Sequence, residues 1–380
     1  MNQPTQDNIK ALLNQIIERE PNCFNPDIRD GVVLYGAGDM GELAFAYYNF
    51  VGVKVFSVVD QDLSNCRIES FDGAQVQSLG MEVGSLVEKN LVVCIANHAY
   101  EPIRRHLSSL GFKKIFHFYQ TTWQFKQFHP LNNGWSLGHV GVDDANYIQE
   151  NIKFLADKRS ICAYLQFLAW HKFQEEWVFE KHQVDVKNKF FINEVLSHIR
   201  RCKVFVDVGA QEGKVIDKFV ELRGADFKKI YAFEPDEISF RRLKNKYSNY
   251  DQSGKITILK KGLSEVSGRF PFANGFGYCS QFGEYSNSLA ETVTLDTINV
   301  EANLIKFHVE GHELQAIKGS LETIQKNRPV VVATIYHNRS TALRLLPYLA
   351  KNLVNYDFIL RLHSWSGTGA VLYALPRKRK

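Results

Sequence analysis

No stretch of this sequence reaches the ~18–20 consecutive apolar residues that a membrane-spanning helix requires, although 45% of its 380 residues are hydrophobic. The N-terminal stretch MNQPTQDNIKALLNQIIERE has apolar residues at helical spacing but lacks the basic start and continuous apolar middle of a secretory signal. Excess charge is missing too. Of the net +5, the tail Arg377-Lys378-Arg379-Lys380 supplies four, leaving +1. Such a balance provides no global field for nucleic acid, and a short basic tail reads as a solvated end. Cysteine is scarce and unpatterned: Cys23, Cys66, Cys94, Cys162, Cys202 and Cys279 include no CxxC pair and read as reduced core thiols. Together these absences point to a cytoplasmic globular protein working on small molecules, with a homo-oligomer left open.

What is present is an alternation of β-branched runs with helical stretches, enough for two domains and a connector. Residues 1–142 open with an amphipathic helix, followed by "GVVLYGAG", "VKVFSVVD", "LVVCIAN" and "KKIFHF". The pattern predicts a small Rossmann-like unit of about four parallel strands, ending near 120, with a loop over 121–142. Residues 143–200 carry apolar residues at helical spacing and predict a helical connector. Residues 201–380 hold seven strand-like runs: VFVDV, KIYAF, ITIL, LIKFHV, PVVVATIY, YDFILRL and AVLYAL. This predicts an α/β doubly wound seven-stranded sheet whose last strand turns back antiparallel.

Two glycine loops carry chemistry. In "VFVDVGAQEG" (204–213) a buried strand runs into a turn, with Asp207 at its end and Gly209 and Gly213 permitting close approach of a ligand. The next strand ends at Glu234, where a carboxylate can accept both hydroxyls of a ribose. Gln211 and Glu212 would sit poorly against phosphate, so a cationic, phosphate-free nucleoside such as S-adenosylmethionine fits better. In the first unit "YGAGDMG" places Gly36, Gly38 and Gly41 in GxGxxG spacing, with Asp60 closing the following strand. No hydride-transfer module follows, and the unit resembles the nucleotide-binding N-terminal domains of some sugar-modifying enzymes, such as sugar O-acyltransferases. That resemblance implies a nucleotide or nucleotide-sugar at this loop; a purely structural unit and an NAD-linked oxidoreductase are the alternatives.

The stretches "LADKRS", "VFVDVGAQEG", "IYAFEPDEISFRRLK", "KKGLSE", "VTLDTI", "LIKFHVEGHELQAIKGSLETI", "PVVVATIYH" and "LRLHS" occur in this order over about 230 residues. In this respect the chain, from about 150 to its end, resembles the FkbM family of S-adenosylmethionine-dependent methyltransferases. The resemblance implies a seven-stranded methyltransferase fold acting on a hydroxyl of a glycan, nucleotide-sugar or natural product, with Asp207, Gly209 and Glu234 lining the cofactor site. The family commonly reads Lys-x-Asp-x-Glu-Gly where this chain has His308 in place of the Asp. That departure leaves a non-catalytic nucleotide or S-adenosylmethionine-binding protein as a further alternative.

Methyl transfer to a hydroxyl needs an aligned oxygen and a group to take its proton, such as a histidine titrating near neutrality. His308, His337 and His363 end strands of the second sheet, and alternation would put Glu310 on the same face as His308. These four are the expected catalytic residues, with His337 and His363 matching the resembled motifs in place. Arg361 is the expected holder of a substrate carboxylate or phosphate. The aromatic, glycine-rich stretch 269–288, which includes Tyr278, is expected to be an acceptor-binding loop. His308 and His312 fall across a strand-to-helix turn rather than one helix face, so no metal is assigned.

Overall fold

The structure, a computed structural model, describes residues 8–378 except 23, 24, 65, 67, 80–83, 85, 183 and 225. Cys23, the first residues of the N-terminal helix, and Arg379 and Lys380 of the tail therefore lie outside the described residues. The first sheet comprises β1 (Val32–Tyr35), β2 (Val55–Asp60), β3 (Gln75–Ser78), β4 (Asn90–Val93) and β5 (Lys114–His117). Its order is β3-β2-β1-β4-β5 and every pairing is parallel. That is one strand more than the sequence pattern suggested. The added strand, QVQS, contains only one apolar residue and lies at the sheet edge, where burial asks little of it.

The second half contributes β6 (Val204–Val208), β7 (Lys229–Phe233) and β8 (Ile256–Leu259), then a small inserted group, β9 (Gly262–Leu263), β10 (Gly268–Ala273), β11 (Gln281–Phe282) and β12 (Ser288–Val293). It closes with β13 (Leu304–Phe307), β14 (Val330–Thr334), β15 (Tyr356–Leu362) and β16 (Ala370–Pro376). The seven-stranded sheet runs β15-β16-β14-β13-β6-β7-β8, with β16 antiparallel to both its neighbours and the other pairings parallel. The buried runs VFVDV, LIKF and VVVAT have no alternation, because helices cover both faces of this sheet. Strand order reverses between β6 and β13, and a ligand crevice is expected outside the carboxyl ends of those two strands.

Two stretches depart from expectation. The 143–200 segment forms helices Val142–Phe154, Lys158–Phe173 and Asn193–Ile199; Gln174 takes a left-handed conformation (φ 54°) that ends the second helix, and the described residues between it and Asn193 form no helix or strand. The 269–288 stretch includes short antiparallel strands, β10 pairing with both β11 and β12, and its glycines fall in the turns between them. The five described cysteines are unpaired. Among the described residues no helix is long and apolar enough to cross a membrane.

Asp157 caps the Lys158–Phe173 helix, accepting from the Ser160 amide at 2.7 Å. The same carboxylate pairs with Arg361 of β15 at 2.9 Å, and Arg361 also reaches Glu194 at 3.0 Å and Ser160 Oγ at 2.8 Å. Arg361 is 4% exposed and fully engaged, so it is an internal clamp between sheet and helices and not a substrate-facing cation. The two acids keep part of their surface in water, which moderates the energy of the pair. Arg361→Ala is expected to cost about 2–3 kcal/mol of stability, measured by equilibrium denaturation, and to leave ligand affinity unchanged.

Candidate active site

At the switch point the loop after β6 crosses close to the end of β13. Gly209 has φ +73°, and a Cβ there would lie 2.0 Å from the His308 carbonyl oxygen, so only glycine lets the two strand ends approach this closely. Gln211, also left-handed (φ 52°), donates its amide to Glu234 Oε2 at 2.7 Å. Glu234 accepts the Asp236 amide as well, at 2.9 Å. Burial raises its carboxyl to about 7 despite those two amides. Gly209, Gln211, Glu234, Phe233, Leu263 and Val309 line a narrow cavity of about 50 Å³, together with Phe282 of β11 and Tyr278 of the turn before it. Gly262 leaves room for the Phe282 ring, which a Cβ there would meet at 2.5 Å.

Of the residues expected around a cofactor, Gly209 and Glu234 line this cavity and Asp207 and Gly213 do not. Asp207 is fully buried, with Lys306 Nζ of β13 at 2.8 Å from Oδ1. Burial raises its carboxyl above the ordinary value and Lys306 opposes the rise. Lys306 also donates to the Gly209 carbonyl at 2.7 Å, so the pair clips the glycine loop to β13 from below. Gly213 (φ +79°) precedes the helix Lys214–Arg223, and a Cβ there would meet the Tyr247 ring at 2.6 Å. Its glycine serves that packing.

The catalytic expectation splits in two. His308, Glu310 and His337 converge: His308 Nε2 is 3.3 Å from Glu310 Oε1, and His337 Nε2 is 3.3 Å from Glu310 Oε2. Glu310 takes φ 52°, a left-handed conformation rare outside glycine, which turns its carboxylate between the two rings. His363 is elsewhere. Its Nδ1 is 2.6 Å from the Asp185 carbonyl and its Nε2 2.8 Å from the Tyr373 hydroxyl, and burial lowers it to about 4. The reason is topological. β16 lies between β15 and β14, so the ends of those two strands stand roughly 10 Å apart, two strand spacings.

None of these imidazoles titrates near neutrality. Burial lowers His308 to about 3. Burial also pulls His337 down, but Glu310 and Glu313 outweigh it and raise the ring to about 9. Burial would lift the Glu310 carboxyl, yet His337 and His308 hold it well below the usual range. Glu313, the first residue of the helix Glu313–Lys318, is a partner that the sequence analysis did not single out. Its carboxylate is 3.0 Å from His337 Nδ1 and accepts the Thr334 hydroxyl at 2.7 Å. Lys189, lowered to about 8 chiefly by burial, donates to the Tyr336 hydroxyl at 3.2 Å, which in turn is 3.0 Å from His308 Nε2.

Glu310 and His337 also face an open groove of about 910 Å³. Its walls include Trp123, Asn132 and Trp135 from the first half of the chain, Gln281 and Tyr285 from the inserted strands, and Asn338 from the end of β14. Asn132 donates to the Glu310 carbonyl at 2.8 Å, and Trp135 Nε1 to the Tyr336 carbonyl at 3.0 Å. The segment expected to be a plain loop is therefore a wall of the site. The Asn132-Asn133-Gly134 turn was visible in the sequence, but its long-range partners were not. Tyr278 is 52% exposed and lines the narrow cavity rather than this groove, its hydroxyl 3.3 Å from Lys214 Nζ.

At the other loop, Gly36 and Gly41 are needed for packing: Cβ atoms there would meet the Cys94 carbonyl at 3.0 Å and the Gly36 carbonyl at 2.1 Å. A Cβ at Gly38 would meet nothing within 4 Å. Asp60 accepts the Ala37 amide at 2.7 Å. Beyond the end of β4, the Ala96 carbonyl accepts the Trp365 amide at 2.7 Å, so the turn between β15 and β16 docks beside this loop.

Comparison with known proteins gives the same outline. The model of the methyltransferase FkbM domain matches residues 207–360. The hexuronic acid methyltransferase AglP of Haloferax volcanii is 34% identical over 116 residues, 27% of this chain and 46% of that protein. The chain thus spans about half the length of this curated relative. The crystal structure of methyltransferase FkbM from Methylobacillus flagellatus aligns at 19% identity with a TM-score of 0.60, covering 96% of this chain and 93% of the other. At that identity the likeness speaks for the fold, and it extends over both sheets.

The Asp207–Lys306 pair generates a stability prediction. Lys306→Met leaves a buried carboxylate unpaired and is expected to cost about 3–5 kcal/mol. Combining it with Asp207→Leu should recover most of that loss in urea unfolding.

Proposed function

Since residues 207–360 belong to the FkbM methyltransferase family, we propose that this chain transfers a methyl group from S-adenosylmethionine to a hydroxyl of a glycan-type acceptor. One observation carries the reading. Glu310, with Gln281 and Phe282, lines both the narrow cavity beside Glu234 and the open groove beside Asn132 and His337, so the two spaces adjoin at these residues. A donor in the first and an acceptor in the second would have their reacting ends there.

The residues present fit the donor. Glu234 offers a carboxylate to a ribose diol, the bend at Gly209 brings backbone close, and Phe233, Leu263 and Phe282 provide apolar walls for a base. Glu212 is held by Arg242, which keeps an acid near the loop and disfavours a phosphate. S-adenosylmethionine, when bound, supplies an electrophilic methyl carbon on a sulfonium that leaves as a neutral thioether. A small-molecule pocket has roughly 300 Å³ or more, so the cavity of about 50 Å³ has to widen for the donor to enter.

On the acceptor side, the groove pairs amide side chains (Asn132, Gln281) with aromatic surface (Trp123, Tyr285), a combination suited to the hydroxyls and apolar faces of a sugar ring. The name of the Haloferax relative, a hexuronic acid methyltransferase, agrees with a sugar acceptor. His308, Glu310 and His337 then act together on the entering hydroxyl: the ionised Glu310 carboxylate takes its proton as the oxygen bonds to the methyl carbon, and the two imidazoles orient that oxygen and carboxylate.

Two measurements test this. Glu234→Ala should weaken S-adenosylmethionine binding by ~1.5–3 kcal/mol in calorimetry, with unchanged melting as the control for folding. Glu310→Gln should slow single-turnover methylation of a sugar acceptor by ~10²–10⁴ while donor affinity stays within about threefold. Full donor affinity in the first variant, or full rate in the second, would overturn the assignment.

A further inference from the structure

We propose that His308, Glu310 and His337 form a binding site for one divalent transition-metal ion at the inner end of the open groove. The three residues offer one ligand atom each, all within 4.8 Å of one another. Both nitrogen-to-carboxylate distances are 3.3 Å. Ligands on a tetrahedral ion at ordinary Zn–N and Zn–O lengths stand roughly 3.4 Å apart; the two spacings match this, each to a different oxygen of Glu310, and the set as a whole has to draw in from its 4.8 Å span.

Two further features point to an ion, and a third shows how the fold fixes Glu310. His337 Nε2 is buried and lacks a well-formed hydrogen bond, although it faces Glu310. Its opposite nitrogen, Nδ1, is 3.0 Å from Glu313, the outer carboxylate that fixes the ring of a metal-binding histidine and leaves Nε2 for the ion. Glu310 adopts a left-handed backbone, which persists only where the surroundings demand it. Glu313 supplies that demand by holding the amides of Val309 and Gly311 on either side.

The donor set selects the ion. Two imidazoles and one carboxylate suit Zn²⁺ or Co²⁺, whereas Mg²⁺ and Ca²⁺ prefer oxygen throughout. Three protein ligands leave at least one position free, and Glu310 and His337 both line the groove. The Tyr336 hydroxyl, 3.0 Å from His308 Nε2, has to yield that nitrogen to the ion, while its oxygen goes on accepting from Lys189. On the methyl-transfer reading, on which this role rests, the ion is a Lewis acid for the acceptor hydroxyl. The site itself does not depend on that reading. The rival account is a plain ion pair in which a cationic His337 sits between two carboxylates.

The experiment uses the full-length, untagged protein, stripped with chelator and with no methyl donor present. Co²⁺ titration followed by visible absorption should give one equivalent with tetrahedral or five-coordinate d–d bands. Zn²⁺ should displace the Co²⁺, and millimolar Mg²⁺ should not. His308→Ala and Glu310→Gln should each lower Co²⁺ affinity by at least about 100-fold with the melting curve still cooperative. Two variants are used so that the misfolding of one leaves the other to decide. Absence of a stoichiometric Co²⁺ spectrum in the unmodified protein, or equal affinity in a folded variant, would overturn the site in favour of the ion pair. Binding of S-adenosylhomocysteine by the stripped protein, measured separately, reports on the methyl-transfer reading: its loss would strike that reading and leave the metal result standing.

Discussion

The Glu313 carboxylate has no exposed surface, and its two oxygens take four donors: the amides of Val309 and Gly311, the Thr334 hydroxyl and His337 Nδ1. A buried carboxylate is tolerable only when such donors are supplied together. They come from the loop after β13, from the end of β14 and from the residues just beyond it. Satisfying Glu313 therefore sets the distance between the two strand ends and the path of the loop. That path presses Glu310 into its left-handed conformation and brings two imidazoles to one carboxylate. Lys306 and Asp207 do the corresponding work on the other side, tying the end of β13 to the glycine loop. The site is thus held from within by charges that never meet the ligand.

Both glycine loops follow one plan. In each, the acid closing the second strand accepts an amide of the turn after the first strand, Ala37 to Asp60 and Gln211 to Glu234, each at 2.7 Å. In each, a glycine leans on the neighbouring strand across the switch point. The neighbouring strand ends differ. β4 runs out into Cys94, Ile95 and Ala96, whereas β13 runs out into His308 and Glu310. Only the second gathers imidazoles around a carboxylate, whereas the first offers a single buried thiol, Cys94. The first also has a neighbour docked beside it, through the Trp365 amide on Ala96.

Much of this was legible in the sequence. The seven strands of the large sheet stand out because buried parallel strands are continuous apolar runs, and the returning last strand follows from the short loop before it. The convergence of His308, Glu310 and His337 was legible as polar tips on neighbouring strands. His363 and Arg361 misled for a definable reason. Both sit on a strand that follows β14 in the chain but is separated from it by β16 in space. Sequence order shows which strands exist and cannot show which one inserts between two others. Asp207 misled because a strand-end acid looks the same whether it faces a ligand or a buried lysine on the next strand. Glu313, Asn132 and Trp135 act through partners 24, 178 and 201 positions away, separations at which spacing carries no signal.

The wall built by Asn132 and Trp135 has a consequence of its own. These residues belong to the stretch before 142, yet they hydrogen-bond to the Glu310 and Tyr336 carbonyls at the strand ends of the other half. Trp135 is in turn stacked on His171 at 3.8 Å, so the wall is braced by the helix that joins the halves. One side of the groove is therefore written in a different stretch of the gene from the ionisable strand ends. Exchanging the first 142 residues with those of a related chain would keep the reacting groups and replace one side of the groove. Selectivity could then drift under selection while the strand ends stayed constant.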